Sequence, residues 1–267
     1  MTPALPLYQV DAFTSQPFRG NPAAVCLLPN ARPDAWMQAV AREMNLSETA
    51  FLLPEGDGYR LRWFTPAIEV DLCGHATLAS AFVLVQRGEL VAGQTVQFFT
   101  RSGLLTAARR GEKIELDFPA RPTNPFDPPG AILEALGLHA ADVLSVEALE
   151  GRLLVELAEE ILLRQLTPDF ARLTAADTGR GVIVTSRSAD FDFVSRFFAP
   201  YAGINEDPVT GSAHCYLAPY WAARLGKTVF SAYQASARGG ELEVELSAER
   251  VLLRGQAVIV LKGELLA

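Results

Sequence analysis

The sequence contains little cysteine, with three among its 267 residues, at positions 26, 73 and 215. An odd and widely scattered set argues against a disulfide framework, so we expect reduced thiols and a cytoplasmic protein. A run of about 18 uncharged apolar residues, which a membrane-spanning helix needs, is missing. The first residues also lack the basic and then apolar pattern of a secretory signal. These absences predict no membrane partner.

The chain also has fewer positively than negatively charged residues. The chain has 23 Lys and Arg against 31 Asp and Glu, a net charge of −8. This balance argues against nucleic acid or an anionic membrane surface as a partner. Apolar residues make up 49% of the chain and charged residues 20%, which is typical of a folded globular protein.

Common cofactor and metal motifs are missing as well. The chain has no Gly-x-Gly-x-x-Gly, no His-Glu-x-x-His and no paired Cys-x-x-Cys. A phosphate loop ending at Gly226-Lys227-Thr228 would need a glycine where Trp221 stands. We therefore expect neither a cofactor nor a metal ion.

An internal repeat is the most informative feature that is present. Segments 64–77 and 198–214 each begin with Phe-x-Pro and then reach a glycine that can start a helix, Gly74 in one and Gly211 in the other. The strands and helices predicted around the two segments follow a similar order. We expect an α+β fold with two pseudo-symmetric halves, each a curved, mostly antiparallel sheet around a central apolar helix, and a cleft between the halves.

A proline-rich segment divides the chain near its middle. Residues 119–130 contain five prolines, which exclude a helix or a central strand there. We interpret 120–129 as a linker between an N-terminal half, 1–119, and a C-terminal half, 130–267. The last strand could pack on either half.

The two helix starts are candidate anion sites. First-turn N–H groups have no partner within the helix, and the helix dipole adds positive potential there. Gly74 and Gly211 let a ligand approach this backbone, so together they would hold a carboxylate or stabilise an enolate. Glycines begin many helices, so either residue alone would indicate little. Ser212 adds a first-turn hydroxyl, and we expect an anionic small-molecule substrate.

His75 and Cys73 flank Gly74. The dipole disfavours a charged imidazole one residue into the helix, so we expect neutral His75 unless it is only structural. A thiol at a helix start can have a lowered pKa and act as a base. A Cys73–His75 dyad is not expected, because residues two apart on a helix do not face each other. The repeat places Thr210 opposite Cys73, so a pair of catalytic thiols would be incomplete.

Two carboxylates complete the candidates. Glu48 begins a strand on the face of Ala50 and Leu52, where burial would raise its pKa and suit proton transfer; the alternative is a solvated strand end. Asp207 precedes Gly211 by four residues in an Asp-Pro turn, where capping is the alternative role. We expect mainly structural roles for His139 and His214.

Five motifs occur in order along almost the whole chain. They are YQVDAFT at 8–14, GNPAAV at 20–25, NLSETAF at 45–51, CGHAT at 73–77 and DPVTGSA at 207–213. Together they resemble the PhzF-like isomerases of the phenazine-biosynthesis family.

This resemblance implies the diaminopimelate-epimerase-type fold and a cofactor-free isomerase, often a homodimer. It implies that Glu48 moves a proton between carbons of an unsaturated substrate. It also implies active-site roles for His75, Asp207 and Ser212, and substrate binding by the backbone at Gly74 and Gly211.

Three hypotheses follow for the function. The first is an isomerase that uses Glu48 as acid and base on a small unsaturated carboxylate. The second is an amino-acid racemase or epimerase that uses Cys73. The third is a non-catalytic protein that binds a small molecule.

Overall fold

The computed structural model describes residues 4–176 and 179–266, so the outermost residues of the two predicted halves, 1–3 and 267, lie outside it. The chain divides into two compact units. The first unit comprises the residues up to Phe118 together with those from Leu252 onward, and the second comprises Pro119–Val251. None of the described helices is long and apolar enough to cross a membrane.

The first unit contains two helices and most of the N-terminal strands. Its elements up to the end of the predicted N-terminal half are β1 (Leu5–Ala12), β2 (Asn21–Leu27), α1 (Asp34–Met44), β3 (Glu48–Glu55), β4 (Gly58–Phe64), β5 (Glu69–Val70), α2 (Gly74–Gln86), β6 (Thr95–Thr100), β7 (Gly103–Arg110) and β8 (Lys113–Pro119).

Helix α2 is the centre of this unit. Leu78, Ala79, Ala81, Val83 and Leu84 along it are all fully buried, which matches a helix that is apolar on nearly every side. It packs against β1, β2, β3 and β7. Each buried leucine or valine stabilises the fold by about 1.5–3 kcal/mol relative to an exposed one.

The register of β2 and β3 places Glu48. Helix α1 is capped by Asn45, which adopts the left-handed conformation with φ 50° and donates its N–H to the Ala41 carbonyl. The chain then turns directly into β3, whose first residue, Glu48, pairs with Ala23 of the parallel strand β2. Glu48 therefore lies at the end of a strand in the sheet that covers α2.

The second unit is continuous in sequence. Its elements are β9 (Asn124–Pro125), α3 (Gly130–Leu136), β10 (Val143–Leu149), β11 (Arg152–Leu157), α4 (Glu160–Gln165), α5 (Phe170–Ala175), β12 (Gly181–Arg187), β13 (Phe193–Ala199), β14 (Ile204–Glu206), α6 (Gly211–Leu225), β15 (Val229–Gln234), β16 (Gly240–Ser247) and β17 (Arg250–Gly255), the last of which runs on into the first unit.

Helix α6 is the buried helix of the second unit. Leu217 and Trp221 are fully buried, and the Trp221 ring stacks on Phe193 with centroids 5.7 Å apart. The indole Nε1 of Trp221 donates to Thr185 Oγ1 at 3.1 Å, so this large side chain is buried with its polar atom paired.

A proline inside α6 ties the proline-rich segment to this unit. Pro219 has no N–H to donate to the carbonyl of Cys215, four residues earlier. The Arg121 N–H donates to that carbonyl at 2.9 Å instead, and the Ala120 N–H donates to Glu249 O at 2.8 Å. The start of the segment interpreted as a linker is thus hydrogen-bonded within the second unit.

The last strand, β18 (Ala257–Leu265), belongs to the first unit. It pairs antiparallel with β1 from Leu5↔Leu265 to Ala12↔Ala257, and it also contacts α2. The sequence counted these residues with the second half and left the packing of the last strand open. Pairing along almost all of β1 determines where the strand lies.

Candidate active site

Glu48 and His75 meet in the first unit. The His75 Nε2 and Glu48 Oε2 atoms are 3.2 Å apart, and the two side chains are 5% and 13% exposed. His75 lies in the first turn of α2 and Glu48 at the first position of β3. The structure therefore places two of the three predicted catalytic residues within ion-pair distance of each other. Both side chains are largely shielded from bulk solvent.

Cys73 joins the same group, contrary to the sequence prediction. Its Sγ is 3.5 Å from His75 Nδ1. Cys73 is the residue before the helix, with extended dihedrals of φ −144° and ψ 109°, so the rule for two residues within a helix does not apply. The expectation that these side chains would not meet is wrong for this reason.

The charge states also differ from the sequence expectation. Burial raises the pKa of the Cys73 thiol to about 11, and the nearby Glu48 charge adds to the rise, so the thiol is protonated near neutral pH. Burial lowers the pKa of His75, but Cys73 and Glu48 raise it, and the net direction is well above its ordinary value of 6.5.

The sequence missed the residue that fixes the His75 ring. Asn21 at the start of β2 is fully buried, and its Nδ2 is 3.1 Å from His75 Nδ1. The two residues are 54 positions apart, so no local pattern links them. Asn21 does lie in the GNPAAV motif, which was the available signal.

Asp207 and Thr210 organise the start of α6 in the second unit. Thr210 is the residue before this helix and donates its hydroxyl to Asp207 Oδ2 at 2.6 Å. Gln234, which is fully buried, accepts from the Thr210 N–H at 2.8 Å and donates to the Asp207 carbonyl at 2.7 Å. Asp207 therefore has a local bracing role, and Gln234 is a residue that sequence reasoning missed.

Ser212, in the first turn of α6, contacts an arginine that sequence reasoning also missed. Arg152 Nη1 donates to Ser212 Oγ at 3.2 Å. The guanidinium lies 5.0 Å from the centroids of both the Phe197 and Tyr216 rings, which hold it by cation–π contacts.

The two helix starts keep the property that the repeat predicted. Among the residues that the structure describes, neither Cys73 nor Thr210 caps its helix with its side chain. The first-turn N–H groups at Gly74 and Gly211 are therefore not satisfied by a side-chain cap. The predicted site residues form two groups, one in each unit, and the prediction of a shared cleft stays a prediction.

His214 has a structural role, as expected. It is fully buried in α6, and its Nδ1 is 2.9 Å from the Thr210 carbonyl. Burial lowers the pKa of His214 to about 4.

This shift predicts a loss of stability in acid. The unfolded chain binds a proton at His214 below about pH 6.5, whereas the folded chain stays neutral there until about pH 4. The free energy of unfolding should fall by roughly 3 kcal/mol between these values on account of His214. Urea unfolding at several pH values checks this, because the free energy of unfolding should depend less steeply on pH in His214→Asn. The exposed His139→Asn is the control, and an unchanged slope in His214→Asn would contradict the assignment.

Two units, each with a sheet packed on a buried central helix, define the fold class of this protein. The solved structure of a probable proline racemase from Agrobacterium radiobacter has this fold, with a TM-score of 0.65 at 13% identity over 98% of this chain and 92% of that one. The predicted α+β, epimerase-like fold is thereby confirmed.

The chain belongs to the PhzC-PhzF family of phenazine biosynthesis-like proteins, whose model matches residues 10–263. It is 56% identical over 264 residues to an uncharacterized isomerase of Halalkalibacterium halodurans, covering 98% of both chains. The crystal structure of a PhzF family protein from Enterococcus faecalis matches with a TM-score of 0.94 and 46% identity, over 99% of this chain and 100% of that one. The predicted family and the isomerase class are confirmed.

Proposed function

We propose that this isomerase moves a proton between two carbons of a small unsaturated carboxylate, with Glu48 as acid and base and without a cofactor. The observation that carries the proposal is the 3.2 Å approach of Glu48 and His75 in a largely buried environment. A carboxylate held there is ready to accept a proton, and burial strengthens its interaction with the imidazole.

The charge balance of this pair suits the reaction. When Glu48 accepts a proton from carbon, the negative charge passes to the substrate as an enolate. A charged His75 then lies close to the new anion, and the uncapped N–H groups around Gly74 add further stabilisation. Glu48 returns its proton at the second carbon, so the enzyme regains its starting state.

The residues of the second unit enter as proposed substrate contacts. Gly211 and Ser212 offer backbone N–H groups and a hydroxyl at the start of α6, and Arg152 holds the Ser212 side chain. Asp207 supports this helix start through Thr210. We expect this group to bind the carboxylate of the substrate. The homodimer expected from the sequence also stays a prediction.

The racemase alternative uses Cys73 as the base and therefore predicts that Cys73→Ala loses activity. The proposed function predicts that activity is retained. Because burial keeps the thiol protonated, Cys73 is a poor base, and Cys73→Ala should retain activity to within about 10-fold. Turnover of Cys73→Ala and of Glu48→Gln, measured on one substrate, separates the hypotheses. A loss in Cys73→Ala as large as that in Glu48→Gln would favour the thiol mechanism.

The substrate is best sought by solvent exchange. The purified protein would be incubated in D₂O with a panel of unsaturated and amino-acid-like carboxylates, and NMR would detect deuterium entering a carbon position. We expect exchange at two carbons of an unsaturated substrate, and no exchange with Glu48→Gln. Exchange with inversion at one stereocentre would instead favour an epimerase, and binding without exchange across the panel would favour a binding protein.

A further inference from the structure

Three different metal-ligand types converge in the first unit. One ligand atom each from Glu48, Cys73 and His75 lies within 4.8 Å of the others. Cys73 and His75 are buried and Glu48 is only slightly exposed, so this group is unlike the acidic clusters common on protein surfaces. None of the sequence motifs for metal sites contains this spacing, which is why the sequence predicted no metal.

Two of the separations between the ligand atoms can be compared with those of a tetrahedral zinc shell. Typical zinc–sulfur, zinc–nitrogen and zinc–oxygen distances place neighbouring ligand atoms roughly 3.4–3.6 Å apart. His75 Nε2 lies 4.0 Å from Cys73 Sγ and 3.2 Å from Glu48 Oε2. Cys73 Sγ is also 3.5 Å from His75 Nδ1, so the thiol would have to move toward the Nε2 side of the ring before the three atoms could share one ion.

The chemistry of the three donors also favours zinc. Thiolate and imidazole select zinc over magnesium or calcium, and a carboxylate is a common third ligand. The other ring nitrogen, His75 Nδ1, is held by the Asn21 amide at 3.1 Å. A zinc ion on Nε2 leaves the ring proton on Nδ1, which must donate to an acceptor, so the Asn21 amide would have to present its oxygen in place of Nδ2.

We propose that Cys73, His75 and Glu48 bind one Zn²⁺ ion through Sγ, Nε2 and a carboxylate oxygen, leaving a fourth position for water or a substrate carboxylate. On binding, the thiol proton, and that of the imidazole when it is charged, pass to the buffer. Because zinc occupies the carboxylate that acts as the base, it inhibits proton transfer; this consequence rests on the proposed function, whereas the binding does not.

Direct binding is the first test, and it needs no substrate. The whole protein, freed of metal, is titrated with zinc alone against a chelator of known affinity, and with cobalt in place of zinc. We expect one ion per chain and, with cobalt, the thiolate charge-transfer absorption of a cysteine ligand. Cys73→Ser and Glu48→Gln should each weaken zinc binding by at least about 10-fold.

Matched controls come from the same chain. Cys215→Ala removes another buried thiol and His139→Ala an exposed imidazole, and neither should change the affinity. Thermal unfolding confirms that each variant is folded, and the cobalt spectrum of the unmodified protein tests the site without any substitution. Any one of three results overturns the proposal. They are an absence of competitive binding, a cobalt spectrum without the thiolate band, and one zinc still bound with unchanged affinity in Cys73→Ser.

The inhibition is tested separately by deuterium exchange. Zinc at concentrations that saturate the site should abolish exchange, and a chelator should restore it. If zinc binds as described but exchange continues, the site stands and the role of Glu48 as the base fails. If zinc does not bind and Glu48→Gln still loses exchange, the proposed function stands and the zinc site fails.

Discussion

Replacing Glu48 by glutamine is expected to lower turnover by about 10²–10⁴-fold, the usual contribution of a positioned acid–base group. Glutamine keeps the size and shape of the side chain but cannot accept the proton. Because the substrate carboxylate is proposed to bind elsewhere, KM should change much less than kcat. Steady-state kinetics on a substrate found by deuterium exchange would measure both quantities.

A suitable control is Glu43→Gln, which makes the same chemical change at an exposed position of α1. Its turnover should equal that of the unmodified protein. Glu48→Gln should keep its cooperative thermal unfolding, since the change removes one charge at a strand end and leaves the core intact. Unaltered turnover in Glu48→Gln would remove this residue from the mechanism.

Replacing Arg196 by methionine is expected to destabilise the protein by about 3–5 kcal/mol. Arg196 is 9% exposed and forms a two-pronged ion pair with Glu206, at 2.7 and 2.8 Å. Its Nη1 also donates to the carbonyls of Leu163 and Leu166, and its guanidinium lies over the Phe198 ring. Methionine fills part of the volume but leaves a carboxylate and two carbonyls without their donor.

Denaturant unfolding followed by fluorescence would measure this loss. Arg172→Met is the control, because Arg172 pairs with Glu134 at 2.8 Å in an exposed position of the same unit. An exposed ion pair contributes about 0–1 kcal/mol, so the control should unfold almost as the unmodified protein does. Equal effects of the two substitutions would show that burial does not strengthen the Arg196 contacts.

Local patterns predicted the helices that position the site. Gly74 and Gly211 begin α2 and α6 as the repeat predicted, because these residues act through their own backbone conformation and the neighbouring apolar residues. Gly226, with φ 65°, caps the end of α6 in the left-handed conformation that glycine favours. Glu48 and His75 were likewise identified from positions relative to a strand and a helix.

Contacts between distant residues were beyond such reasoning. The helix dipole predicted a neutral His75, but Cys73 and the Glu48 carboxylate, which approaches from another element, together raise the His75 pKa and reverse that preference. Asn21, Arg152 and Gln234 act on residues 54, 60 and 24 positions away, so their roles depend on the assembled sheets. The Cys73–His75 contact required the dihedral angles of Cys73, which spacing alone did not reveal.

The pairing of β18 with β1 has a consequence for the order of events during synthesis. The second unit is one continuous stretch of chain and can fold as soon as it has left the ribosome. The first unit must wait, because β1 has an open edge until residues 257–265 emerge and cover it. The unit that holds Glu48, Cys73 and His75 therefore begins before the second unit in synthesis and is completed after it, so we expect these groups to reach their final positions only once residues 257–265 have emerged.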